Sequence, residues 1–381
     1  MHNILLMIAS REWFGIFVAA AVGAAGAALR RFGVGAVSDL GIGLLAVAAA
    51  LAIGAAFHLV SLTAARLRFR PAGKRVDVGG FSIHVIAEGA QTGRPGVVWF
   101  GGGHSSGAVM NHLHRAVRGN VRSILIDRPG TGWSDTGPFP RTTAREAEEV
   151  IRALECAGEQ GPFVFAGHSF GGLLVANIAR RRPDLVASLV LLDPTPLETI
   201  VFGPRLGALS QMRRDAIASG VLRLFGVHVD VGALRIRADR HHKEVEALYN
   251  SILGEALDRV RQVEISAGAM FARYSIFREL SPEGVARCAW ETVVYDGDLG
   301  DMAVYLVAPG SAEEVLENPD VAAAAAPEMA RMHRFFARTR ERYMATSSRA
   351  SRIVTPAGST HQFVYEHPDF VAKKVLEIAS G

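Results

Sequence analysis

With 381 residues, 49% of them hydrophobic, and a formal charge of +4 from 41 Lys and Arg against 37 Asp and Glu, the chain can hold one large α/β domain with insertions, or two domains. The basic residues are scattered, with no aromatic-basic stripe among them, which argues against nucleic acid as a partner. Cys156 and Cys288 are the only cysteines; they give no disulfide framework and no metal-like spacing.

The apolar excess is concentrated near the start. From Trp13 to Leu62 charged residues almost vanish, with one apolar run over Trp13 to Leu29 and a longer one over Leu40 to Leu62. About twenty apolar residues cross a bilayer, so the second run is the firmer span. Arg30 and Arg31 between the runs favour two helices in a hairpin over one long helix, because a charge pair at the bilayer centre is costly. Ala46, Ala50 and Gly54, at four-residue spacing, are expected to let the helices approach closely. The competing reading is a buried soluble hairpin. A cleavable signal is not expected, since Arg11 and Glu12 follow the Ile4 to Ile8 run instead of preceding it. Residues 1–65 therefore read as a membrane anchor and 66–75 as a basic juxtamembrane linker. Arg66, Arg68, Arg70, Lys74 and Arg75 outnumber Arg30 and Arg31, which places the following domain in the cytoplasm and makes membrane lipid a partner.

The pattern then changes to alternating strands and helices. Arg75 to Ile86 reads as a hairpin around Gly79-Gly80. Gly96 to Phe100 and Val121 to Ile126 read as buried strands, the first ending in Gly101-Gly102-Gly103 and the second in Asp127-Arg128-Pro129-Gly130. A helix from about Thr142 to Cys156 precedes the strand Phe163 to Ala166, and Ser188 to Leu192 is a further strand ending at Asp193. From Pro196 to about Arg287 the strand rhythm stops, so residues 196–287 read as a helical cap between 76–195 and 288–381. In the last part Met302 to Val307 and Ser351 to Thr355 read as strands, with helices around Pro327 to Ser347 and Pro368 to Ile378. Such alternation predicts a mainly parallel sheet covered on both faces.

Val164 to Gly172 carries the chemistry. An apolar strand runs into Gly167-His168-Ser169-Phe170-Gly171, and Leu173, Leu174, Val175, Ile178 and Ala179 follow at helical spacing up to the Arg180-to-Pro183 stop. A strand, a Gly-x-Ser-x-Gly turn and a helix make a nucleophile elbow, in which residues without bulk let the serine hydroxyl stand clear of the backbone. A serine also needs a base, a carboxylate to orient that base, and donors for an oxyanion.

The chain resembles the α/β-hydrolase superfamily, in particular bacterial members with an N-terminal membrane segment. The resemblance runs through Val76-Asp77-Val78-Gly79-Gly80, Asp127-Arg128-Pro129-Gly130 with Gly132-Trp133-Ser134, Gly167 to Gly172, Leu189 to Asp193, and Ser359-Thr360-His361. It covers Arg75 to Gly381 and is weak through the cap. It implies His361 as base, on the turn after the last strand; His168, beside the nucleophile, is expected to point elsewhere. Asp193, ending the strand after the nucleophile helix, is the expected acid, with Glu313 and Glu314 after the next strand as alternatives. Phe170 and Gly102 are the expected oxyanion donors through their backbone N–H groups. Asp127 and Arg128 are expected to fix the loop beside the site.

These residues predict a membrane-bound serine hydrolase of the bacterial inner membrane, acting without metal or cofactor on a small-molecule or lipid-derived acyl compound. Epoxide hydrolase and dehalogenase chemistry are disfavoured, because those relatives need an aspartate where this chain has Ser169. Peptidase, thioesterase, lipase and haloperoxidase-like activities stay open. The alternative is a hydrolase-fold protein used for binding alone.

Overall fold

In the computed structural model, the structure describes residues 2–195, 207–236, 240–279, 281, 291–310 and 340–381. Eight strands form one sheet in the order β1-β2-β4-β3-β5-β6-β7-β8. They are β1 (Lys74–Asp77), β2 (Ser82–Glu88), β3 (Gly96–Phe100), β4 (Ser123–Ile126), β5 (Phe163–His168), β6 (Val186–Leu192), β7 (Ala303–Ala308) and β8 (Arg349–Val354). The β1-β2 and β2-β4 pairs are antiparallel, and all pairs from β4 through β8 are parallel. This is the mainly parallel sheet expected from the alternating pattern, in the α/β-hydrolase fold that the resemblance implies.

The central strands are buried on both faces, which explains their unbroken apolar runs. Because strand side chains alternate, Val98 and Phe100 of β3 and Phe163 and Phe165 of β5 enter one core, while Val97, Trp99, Val164 and Ala166 enter the other. Helices α5 (Thr143–Ala157) and α6 (Phe170–Arg181) cover the first face; α4 (Asn111–Val117) and the closing helix α13 (Pro368–Ser380) cover the second. Helix α5 starts where Thr142 Oγ1 accepts a 3.2 Å bond from Arg145 N and stops at Gly158, whose φ of 79° ends the right-handed winding.

Between β6 and β7 the described chain is helical: α7 (Gly207–Leu224), α8 (Val231–Ile236), α9 (Arg240–Val263) and α10 (Ala267–Glu279). Two short helices, α11 (Arg342–Ala345) and α12 (Phe363–Glu366), flank β8.

The N-terminal region contains α1 (His2–Ala9), α2 (Phe14–Phe32) and α3 (Ala36–Arg68). Both α2 and α3 are long and apolar enough to cross a membrane, and 17% of each apolar window is buried. Helix α3 runs through Arg68 without a break, so the start of the expected linker is helical and only the stretch between Phe69 and β1 connects. The contact between α2 and α3 also differs from the expectation. Ala46 and Ala50 are exposed, Gly54 faces the carbonyl of Phe225 at the end of α7, and the buried stripe of α3 is Gly41, Ala48 and Ala55. Seven-residue spacing keeps those residues on one side of a helix meeting a single antiparallel neighbour, whereas a four-residue stripe drifts around it. A methyl group added at Gly26 would lie 3.0 Å from Leu45 N, and one at Gly41 would lie 2.8 Å from Gly26 O.

The hairpin is joined to the rest by polar contacts. His58 of α3, fully buried, meets Glu12 Oε2 at 2.7 Å and His228 Nε2 at 3.0 Å. Glu12 also accepts the N–H of Ala267 at 3.1 Å, at the start of α10, where a carboxylate satisfies unpaired helix donors.

Candidate active site

Gly102, Ser169, Asp193 and His361 lie beyond the carboxyl ends of the parallel strands β3, β5, β6 and β8, where open α/β sheets bind ligands. Ser169 follows β5 with φ 53° and ψ −119°, and α6 begins at the next residue. The turn is possible because two neighbours lack side chains: a methyl at Gly171 would sit 2.6 Å from Phe100 O, and one at Gly167 would collide with Gly171 O. Holding a non-glycine residue at positive φ is strained, and here the paired β5 and β6 impose it.

Asp193 follows β6, also at positive φ, 47°, with its N–H donating to Val307 O at 2.9 Å. Its carboxylate is fully buried, and Oδ2 receives His361 Nδ1 in a short contact. Burial alone would raise the Asp193 pKa; the facing charges of His361 and Arg340 hold it below the usual carboxylate range. The other oxygen, Oδ1, lies 2.5 Å from Arg340 Nε.

His361 sits on the turn after β8, opened by Gly358 at φ 75°. Two neighbours brace that turn: Glu366 accepts Thr360 N at 2.8 Å and Thr360 Oγ1 at 2.6 Å, and His168 Nε2 donates to His361 O at 2.8 Å. The rings of His168 and His361 lie 4.7 Å apart, so His168 packs against His361. The strand alternation that turns it from the Ser169 hydroxyl turns it under the neighbouring loop. Burial pushes its pKa down to about 3, with His361 adding to the shift, so it is neutral.

The loop after β3 passes over Ser169. A methyl at Gly102 would come within 3.0 Å of Ser169 Cβ and 3.3 Å of His168 Nδ1, so only glycine lets this backbone approach so closely. The Phe170 N–H, at the first helical position of α6, has no partner inside that helix. The Gly102 backbone and the Phe170 N–H thus both lie beside Ser169. Arg128 joins the two loops: its guanidinium bonds Gly103 O, lies 4.8 Å from the Phe170 ring, and donates from Nε to Glu146 at 2.8 Å. Burial would raise Glu146, but Arg128, His104 and Arg141 bring its pKa down to about 2. Asp127 accepts Gly107 N at 2.8 Å and Trp133 N at 3.0 Å and meets His84 Nδ1 at 2.7 Å. Both residues therefore brace loops.

Several neighbours carried no sequence signal. Thr195 Oγ1 lies 3.3 Å from Ser169 Oγ, His104 pins the glycine loop to Pro129 O at 3.1 Å, and Arg340 reaches Asp193 across a long chain separation. A threonine two residues past an aspartate and an arginine in a basic stretch have no spacing that marks them. Glu313, Glu314 and Cys288 lie outside the described residues. Among the described residues, no cluster of three His, Cys, Asp or Glu side chains could hold a metal ion.

Comparison with known proteins bears on the family and the fold. Over 181 residues the chain is 30% identical to the 2-(acetamidomethylene)succinate hydrolase of Mesorhizobium japonicum, covering 45% of this chain and 63% of that protein. Over 157 residues it is 31% identical to the dihydrolipoyllysine-residue acetyltransferase component of the acetoin cleaving system of Pseudomonas putida, covering 41% and 42%. It thus spans less than two thirds of either relative. Among solved structures, an esterase from Thermogutta terrifontis superposes with a TM-score of 0.52 at 16% identity, covering 81% of this chain and 97% of the esterase. The haloalkane dehalogenase DatA from Agrobacterium tumefaciens gives 0.52 at 14%, covering 81% and 97%; both likenesses show the fold alone. The model of the alpha/beta hydrolase family matches residues 95–374, and the chain belongs to that family.

Proposed function

We propose that the protein is a membrane-anchored serine hydrolase that cleaves a carboxylic ester or related acyl substrate. The observation that carries the reading is the contact of His361 Nδ1 with buried Asp193 Oδ2, on loops adjoining an elbow that presents Ser169. With Nδ1 held by the carboxylate, Nε2 is the ring nitrogen left to accept a proton.

In this mechanism His361 takes the proton of Ser169 as Oγ attacks the substrate carbonyl carbon. The carbonyl π electrons move to oxygen, and the N–H groups of Phe170 and Gly102 bind the resulting oxyanion. Asp193 stabilises the imidazolium. As the oxyanion collapses, the C–O bond to the alcohol breaks and His361 protonates the departing oxygen. Water, deprotonated by His361, then attacks the acyl carbon, and the second collapse breaks the bond to Ser169 Oγ, to which His361 returns the proton. The positions of Asp193 and His361 favour Asp193 over Glu313 and Glu314 as the acid.

The membrane reading rests on exposure. Phe17, Ile53, Phe57, Val60 and Leu67 are each more than half exposed, and a soluble buried hairpin would cover such residues. Arg66 and Arg68 at the end of α3 and Arg70, Lys74 and Arg75 after it orient the hydrolase domain to the cytoplasm of a bacterial inner membrane, and a substrate partly dissolved in the bilayer, a lipid-derived acyl compound, suits that tether.

The test is hydrolysis of p-nitrophenyl esters of increasing acyl length by the full chain in detergent and by Ser169→Ala. Hydrolysis that disappears in the variant at every chain length supports the reading. A correctly folded wild-type protein that cleaves none of them, nor thioester or amide analogues, leaves the binding-only alternative in its place.

A further inference from the structure

The carboxylate that meets His361 is shared with a second cation. Arg340 Nε lies 2.5 Å from Asp193 Oδ1, with the arginine side chain 15% exposed and the aspartate side chain fully buried. Three residues on, the hydroxyl of buried Tyr343 donates to Thr195 O at 3.4 Å. Thr195 in turn touches the nucleophile, its N–H donating to Ser169 O at 3.0 Å and its Oγ1 lying 3.3 Å from Ser169 Oγ. The segment 340–343 thereby grips the Asp193-Pro194-Thr195 loop at the acid and again beside the serine.

We propose that Arg340 is a positioning residue of the Ser169–His361–Asp193 site, holding Asp193 in the rotamer that faces His361 and taking up part of the negative charge that would otherwise act on the imidazolium. This deepens the serine-hydrolase reading and rests on it. A buried carboxylate with one oxygen bonded and the other bare would be free to turn about its Cα–Cβ and Cβ–Cγ bonds, and it would carry the desolvation cost of the bare oxygen. Oδ1 accepts no hydrogen bond of good geometry among the described residues, so Arg340 acts on it through charge: a guanidinium 2.5 Å away offsets part of the desolvation cost and favours the rotamer that keeps Oδ1 toward it. It also opposes protonation of His361, because a fixed positive charge on the far side of the same carboxylate weakens the field that an imidazolium feels.

The other groups facing this pair are few among the described residues. His168 packs beneath His361 from the end of β5 and is neutral, Glu366 is engaged with Thr360, and Tyr249 of α9 donates to Gln362 at 2.7 Å while its ring lies 4.4 Å from that of Tyr365. None of these places a second cation on Asp193, so Arg340 is the charge whose removal should register at His361.

The experiment measures the pH dependence of the second-order rate of fluorophosphonate labelling for the wild type, Arg340→Met and Arg340→Lys, all as full chains in detergent. That rate reports the free enzyme's base. In Arg340→Met the acid limb should move up by about one pH unit, the size expected of one charge lost at intermediate dielectric. Its plateau should fall about tenfold, for a carboxylate no longer held. Arg340→Lys should keep the wild-type midpoint and recover part of the plateau. A purely structural role would lower the plateau in both variants with no shift in midpoint, and that result overturns the proposal. If Arg340→Met fails to fold, Arg340→Gln replaces it, with the same shift expected and the same unshifted midpoint counting against. Absence of Ser169-dependent labelling in the wild type would instead defeat the serine-hydrolase reading itself, so the two failures are distinguishable.

Discussion

Small residues are used in quantity at two places in this chain, around Ser169 and along the α2-α3 hairpin, and they do different work. At the elbow Gly167, Gly171 and Gly102 let one backbone approach another so that a hydroxyl and two loops converge on a point. In the hairpin Gly26, Gly41, Ala48 and Ala55 let two helices meet along a line. The first arrangement tolerates almost no displacement, because chemistry depends on tenths of an ångström. The second spreads its contact over many turns, so a local loss leaves the rest in place. The comparison teaches that bulk added at either place should disturb the protein, but only at the first should it disturb the reaction.

The largest expected effect lies at the acid. Asp193→Asn keeps the shape and removes the charge that orients His361, and it should lower ester hydrolysis by roughly a thousandfold or more, by analogy with triad orienters, whereas Glu313→Ala and Glu314→Ala should change it by less than about threefold. Steady-state rates on a short ester check the ranking, and a reversed order would move the acid to the loop after β7. Next comes Gly171→Ala, which sets a methyl against Phe100 O; kcat/KM should fall by about a hundredfold or more, measured in protein whose circular dichroism is unchanged.

The hairpin counterpart is Gly41→Leu. It should lower the thermal midpoint and the fraction recovered in the membrane, leaving kcat per folded molecule within about twofold; an equal loss of kcat would mean that the two regions are coupled. The smallest effect concerns pH. His104 is held at about 4 and His168 at about 3, both by burial, below the ordinary value of 6.5, so between those values and 6.5 the unfolded chain binds more protons than the folded one. Stability should therefore fall as pH drops from 6.5 toward 4, with His168 continuing toward 3. Thermal midpoints across that range check the sign, and His104→Gln should flatten the slope.

The same two regions differ in how far the sequence revealed them. Ser169 was legible because a strand, glycines at fixed spacing and a helix are all local, and the expected sheet followed from local alternation. His361 and Asp193 were legible only through the resemblance, since nothing local pairs residues so far apart. Arg340 and Thr195 were not legible at all: each matters through a contact made by tertiary packing. In the hairpin, composition identified two helices, but the wrong stripe was expected to face inward. Glycine and alanine are frequent on every side of α3, so the residues that meet α2 are selected by the antiparallel pairing and not by a four-residue repeat. His58 likewise reads as an oddity in an apolar run until Glu12 and His228 are brought to it.

The central claim is that Ser169 is an activated nucleophile, and the most direct measurement is fluorophosphonate labelling of the full-length chain followed by mass spectrometry of its peptides. The account predicts one modified peptide, spanning Val164 to Gly172, with the added mass on Ser169 and its loss in Ser169→Ala and His361→Ala. Labelling that persists undiminished in Ser169→Ala, or a folded wild-type protein that takes up no probe at Ser169, would contradict it.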